Sequence, residues 1–67
     1  MKALTGADFC RVLARNGWVR LRTRGSHQTW GKEGLRSVTV PVHAGKTLGQ
    51  GLLAALLKQT GLTVRDL

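Results

Sequence analysis

Trp18-Val19-Arg20-Leu21-Arg22-Thr23-Arg24-Gly25-Ser26-His27-Gln28-Thr29-Trp30 decides how this chain folds. Upstream of it apolar residues recur at helical spacing, and within it they alternate. Val19, Leu21 and Thr23 alternate with Trp18, Arg20, Arg22 and Arg24, the period of a strand with one buried and one wet face. Gly25-Ser26 reads as a turn and His27-Gln28-Thr29-Trp30 as a short second strand. Period two places Trp30 on the face of Gln28, opposite His27.

The flanks follow. Thr5-Gly6-Ala7-Asp8 opens a helix, with Thr5 as N-cap, Asp8 at N3 beside the positive dipole end, and Leu4 stapled onto Phe9. Phe9, Val12 and Leu13 continue it, Arg11 and Arg15 take the other side, and Asn16-Gly17 stops it. Gly31-Lys32-Glu33-Gly34 reads as a hairpin turn. Residues 35–40 read as a third strand, ended by Pro41, which has no amide to donate. A loop over 41–51 leads to a second helix with the stripe Leu52, Leu53, Leu56 and Leu57. Lys58 complements its dipole, Gly61 stops it, and Thr63-Val64-Arg65-Asp66 caps one more turn. The expected fold is α+β, one domain over 1–67 in the order α-β-β-β-α. Its three-stranded antiparallel meander carries two helices on one face and offers the other to a ligand.

Charge narrows the partners. Lys plus Arg total 11 against 3 acids over 67 residues, a formal charge of +8 and a pI near 11.6. So large an excess on so small a body attracts polyanions: nucleic acid, an anionic membrane or an acidic protein. Arginine exceeds lysine by seven to four, and its planar fork suits phosphate. A hydrophobic content of 42% is too high for a disordered basic tail. The single cysteine, Cys10, excludes an internal disulfide and fits a reducing cytosol; beside Phe9 it reads as core. The start Met1-Lys2-Ala3-Leu4-Thr5 lacks the apolar run of a signal peptide. The apolar block 52–57 is too short to span a bilayer. A cytoplasmic protein without a membrane partner is expected.

Several chemistries fail on the residues. Gly45-Lys46-Thr47 resembles the tail of a phosphate-binding P-loop, but the required glycine five residues earlier is Val40. Cys10, His27 and His43 lack zinc-ligand spacing, so no metal is expected. Clustered carboxylates for a two-metal nuclease are missing, because Asp8 caps a helix, Glu33 sits in a turn and Asp66 lies near the end. Cleavage without a metal favours RNA, whose 2′-hydroxyl is an internal nucleophile. A histidine can take its proton while arginines hold the charge that builds on phosphorus. His27 is the candidate for that transfer, beside the small Gly25-Ser26 turn and near Arg22 and Arg24; the alternative is an exposed strand histidine without a role. His43 reads as a second acid/base, a phosphate contact or a residue that fixes its loop. Lys46 reads as a loop cation able to hold phosphate. Trp18 and Trp30 either stack on bases or pack under the helices, with packing expected for at least one.

Together these residues resemble the HicA-type toxins of bacterial toxin–antitoxin pairs. The resemblance runs through the first helix and Asn16-Gly17-Trp18, Arg24-Gly25-Ser26-His27, and Val38-Thr39-Val40-Pro41-Val42-His43. It continues through Leu48 and Gly51 to Leu56-Leu57-Lys58-Gln59-Thr60-Gly61-Leu62. It implies a fold like the double-stranded-RNA-binding domain and an mRNA-cleaving ribonuclease that arrests translation; no cofactor is expected. It also implies a HicB-like antitoxin partner that masks the active site. The family's catalytic histidine falls on His27 and its glycine–serine approach on Gly25 and Ser26. Many members carry a second histidine or a basic residue where this chain has Gln28. The competing readings are an RNA-binding module that cuts nothing, and a basic subunit that only docks an acidic protein.

Overall fold

Helix α1 (Gly6–Arg15) starts at a complete capping box in the computed structural model, which describes residues 3–67. Met1 and Lys2, part of the start read above, lie outside them. Thr5 Oγ1 accepts from the Asp8 amide, and Asp8 Oδ2 accepts from the Thr5 amide, each at 3.1 Å. The Asp8 carboxylate also takes the Arg11 guanidinium. The backbone bond from Thr5, then its hydroxyl, then Arg11 hold the Asp8 carboxyl below its usual range. A carboxyl depressed on folding stabilises above its unfolded pKa, and that contribution disappears as pH falls through the folded value. Asp8→Asn should therefore melt below wild type at neutral pH, with the gap closing below about pH 4. Denaturant melts across that range check this; a gap that persists in acid contradicts it. Leu4 packs on the core, Asn16 caps the helix end, and Gly17 takes the left-handed conformation at φ 87°.

Strands β1 (Val19–Arg24), β2 (His27–Gly31) and β3 (Val38–Pro41) form an antiparallel sheet in that order. The third strand starts three residues later than the periodicity suggests and includes Pro41. Leu35 instead turns, its amide donating to the Lys32 carbonyl at 3.0 Å. Pro41 is tolerated because β3 is an edge strand. Helix α2 (Gln50–Thr60) buries Leu53, Leu56 and Thr60, and ends at Gly61 with φ 75°. Leu52, expected in that stripe, is 40% exposed because the buried set runs i, i+3, i+7 from Leu53. Leu57 packs partly buried against the core. A 3-10 turn (Val64–Asp66) follows, capped by Thr63 and Asp66 as expected.

Phe9, Cys10 and Leu13 of α1 meet Leu53 and Leu56 of α2 over Trp30, Val38 and Val40. Trp30 stands opposite Val38, and Gln28 opposite Val40, so both helices cover one sheet face. Among the described residues, no helix is long and apolar enough to cross a membrane.

Strand β1 departs from the sequence reading. Val19, Leu21 and Thr23 were expected on the buried face, yet every β1 residue is exposed, while Trp18 is buried at 3%. A bulge is the reason. Arg24, Thr23 and Arg22 pair with His27, Gln28 and Thr29, but Arg20 pairs with Trp30, leaving Leu21 as the extra residue. One inserted residue exchanges the faces of everything before it. Trp18 and Arg20 thereby turn to the helix side, and Val19 and Leu21 to the open side. Burying an indole removes roughly 150–250 Å² from water, worth about 4–6 kcal/mol. Leaving Val19 and Leu21 exposed forgoes about 1–2 kcal/mol each. The indole wins by a margin that its unpartnered Nε1 narrows further.

Backbone contacts tie the segment after β3 to the start of α1. The chain around Thr47 bridges to Thr5, and the Leu48 amide donates to the Leu4 carbonyl at 2.6 Å. Gly6 sits against Pro41 so closely that a Cβ there would overlap the Pro41 carbonyl oxygen.

Candidate functional site

The uncovered sheet face carries the basic row. Arg24 and His27 are direct partners across the β1–β2 hairpin, and Arg22 stands opposite Thr29. Thr29 lies beside Thr39, their hydroxyls 3.2 Å apart, and His27 faces Pro41 on its other side. Period two puts Arg22, Arg24, His27, Thr29 and Thr39 on this face. Arg22, Arg24 and His27 are all exposed.

Two residues make the hairpin. Gly25 has φ 57°, and Ser26 does not have positive φ, the pattern of a type II′ turn whose twist matches the strands. A glycine at the tip leaves nothing within 4 Å of its missing Cβ, so an approaching phosphate meets no side chain there. The Ser26 carbonyl accepts from the Val42 amide at 2.6 Å. That bond continues the β3 edge past Pro41 and brings His43 to the His27 end of the sheet.

Lys46 is placed differently. Its amide donates to the His43 carbonyl at 3.0 Å, closing a turn with Gly45 at φ 74°. The next residue joins Thr5, so the backbone ties Lys46 to the start of α1 rather than to the arginine row. His43 and Lys46 are exposed.

Both tryptophans are core residues, Trp18 at 3% and Trp30 at 8% exposure, so neither is a stacking platform. Gln28 lies on the helix face as expected, its Oε1 accepting from Trp30 Nε1 at 3.2 Å. It therefore faces away from His27 and does not assist it. Cys10 is buried, and burial pushes its thiol up.

The carboxylates stand apart from the row. Asp8 and Asp66 each accept a backbone amide in a capping box, and Glu33 is exposed in the β2–β3 connection. A cationic strip with an imidazole at its end and no carboxylate beside it can hold a phosphodiester and move a proton next to it.

The alternation of the sequence hides one surface. Val19, Leu21 and Leu35 line a shallow hollow with Gly31 at the other end of the open face. Leu21 Cδ1 lies 2.8 Å from the position a Gly31 Cβ would take. A glycine inside a strand signals a bulge or a close approach, and Gly31 was the available sign.

Residues 6–62 match a family model described as HicA toxin of bacterial toxin-antitoxin. No curated protein and no solved structure matches the chain.

Proposed function

The chain belongs to the HicA toxin family, toxins of bacterial toxin–antitoxin systems, and from that membership we propose that it is an endoribonuclease that cleaves mRNA. The observation that carries this reading is the exposed row of Arg22, Arg24 and His27 on the uncovered sheet face. In the proposed reaction, His27 takes the proton of a ribose 2′-hydroxyl, whose oxygen attacks the adjacent phosphorus. The bond to the 5′-oxygen breaks, leaving a 2′,3′-cyclic phosphate on one fragment. Arg22 and Arg24 hold the charge that builds on the phosphoryl oxygens, a task suited to fixed guanidinium groups. Gly25 and Ser26 let the strand come close.

The departing 5′-oxygen needs a proton, and His43 at the same end of the sheet is the candidate donor. Lys46, farther along the loop, holds a phosphate outside the reacting one. The reaction as written draws on no metal, and the carboxylates that would hold one serve caps and a turn. The protein works in the cytoplasm, where mRNA is. A HicB-like antitoxin restrains it by covering His27.

Incubating the purified protein with RNA in excess chelator tests the reading. The expected products carry 2′,3′-cyclic phosphate and 5′-hydroxyl ends, and raising salt should weaken binding steeply as counterion release is lost. Products with 5′-phosphates, or RNA bound and left whole, would overturn it. The latter result would favour a non-catalytic RNA-binding module.

A further inference from the structure

Five large hydrophobic side chains are exposed among the described residues, and three of them gather in one place. Val19 (63%), Leu21 (60%) and Leu35 (50%) surround Gly31 on the open sheet face. We propose that this patch is where the antitoxin seats an apolar anchor, with acidic side chains around it. The proposal rests on the toxin–antitoxin pairing read above, but not on the catalytic role of His27.

Chemistry selects the occupant. Three aliphatic side chains offer nucleic acid neither a π-face nor a donor, so bases and phosphates gain little there. They gain most against another protein's apolar side chains, where a dry centre is ringed by polar contacts. The hollow itself carries one charge of each sign, Lys32 and Glu33, and the cationic excess lies alongside it, where Arg22 follows Leu21 directly and Arg24 comes after. Glu33 is the one carboxylate at its rim, on a chain of charge +8. The partner of complementary charge is therefore an acidic protein.

Continuity selects the consequence. The bulge sends Val19 and Leu21 to the side that carries Arg22, Arg24 and His27, so the patch and the basic row form one surface. Among the described residues strand β1 is also an edge of the sheet, with no further strand along its outer side. A partner anchored at Leu21 and Leu35 and extending along β1 lies over the arginines. Inhibition then needs no grip on His27 itself. The anchor supplies the affinity, and the overlying acidic chain excludes RNA.

The test measures affinity and cleavage separately. The purified cognate antitoxin is titrated calorimetrically into wild type, Leu21→Asp, Leu35→Asp and Leu52→Asp. Leu35 lies outside the strands, so Leu35→Asp leaves the bulge intact and should fold and cleave as wild type does. The expected result is an affinity weakened about 30-fold or more by Leu21→Asp and Leu35→Asp, and unchanged by Leu52→Asp on α2. Affinity of folded Leu35→Asp within about threefold of wild type would overturn the proposal. So would loss of RNA cleavage by Leu35→Asp with antitoxin affinity intact, which assigns the patch to RNA. A wild-type dimer that Leu35→Asp dissolves would assign it to a second copy and overturn it too. If wild type cuts no RNA yet the affinity pattern holds, the catalytic reading fails and this one stands.

Discussion

His27→Ala is expected to slow RNA cleavage by about 10²–10⁴-fold while leaving the fold and RNA affinity close to wild type. The size follows from the work assigned to the imidazole. Without it the 2′-hydroxyl must lose its proton to water in the transition state, although the arginines still hold the phosphate. The fold should be indifferent because the ring is exposed and packs nothing in the core. Surface changes of that kind stay within about 0.5 kcal/mol. Single-turnover cleavage beside a binding titration separates the two effects. Equal cleavage by wild type and His27→Ala would remove His27 from the mechanism. A loss of binding equal to the loss of cleavage would make it an anchor instead of a proton carrier.

Gly6→Ala is expected to destabilise the protein by about 3 kcal/mol, lowering the melting temperature by roughly 12–24 °C. Two effects oppose each other. Alanine gains about 0.5–1 kcal/mol over glycine within a helix. Against that, the new methyl overlaps the Pro41 carbonyl oxygen and comes within 3.0 Å of the Pro41 carbonyl carbon and Val42 Cα. Both neighbours are backbone, so neither can turn aside, and the steric cost wins. Gly51→Ala is the internal control: a Cβ there meets nothing within 4 Å, on a residue inside α2. It should leave stability unchanged or raise it by less than about 1 kcal/mol. If thermal melts put the two variants level, the close seat of α1 on β3 is wrong. Pro41 is the strand partner of His27, so this seat also fixes one side of the candidate site.

Much of the architecture could be read from local chemistry. Thr5 with Asp8, and Thr63 with Asp66, announce caps because side-chain acceptors at that spacing reach free amides. Gly17 and Gly61 announce helix ends because the chain there takes positive φ. The pair Arg24 and His27 was legible too, because a two-residue Gly25-Ser26 turn leaves one register. What escaped was non-local. The start of the third strand depends on how the 32–37 connection turns, and Leu35 looked like a strand residue by composition alone. The stripe of α2 was ambiguous because leucines adjoin on both sides of it, and only contact with Val38 and Val40 selects Leu53 and Leu56. Strict alternation gives the wrong faces for β1 because it assumes equal residue counts on paired strands, and Leu21 breaks that count. The arginine row survived because the bulge lies on the far side of Arg22 from His27. The apolar surface beside it was invisible for the same reason.

The extra residue at Leu21 also bears on how this chain tolerates change. Replacing Leu21 alters one side chain; deleting it closes the bulge and leaves Arg20 against Trp30 and Val19 against Gly31. Trp18 would stay beneath the helices and Val19 outside, because the shortened strand then matches its partner residue for residue. The position is thus slack in the thread: loss of a single codon there straightens the strand and removes one apolar side chain, while the buried indole keeps its seat.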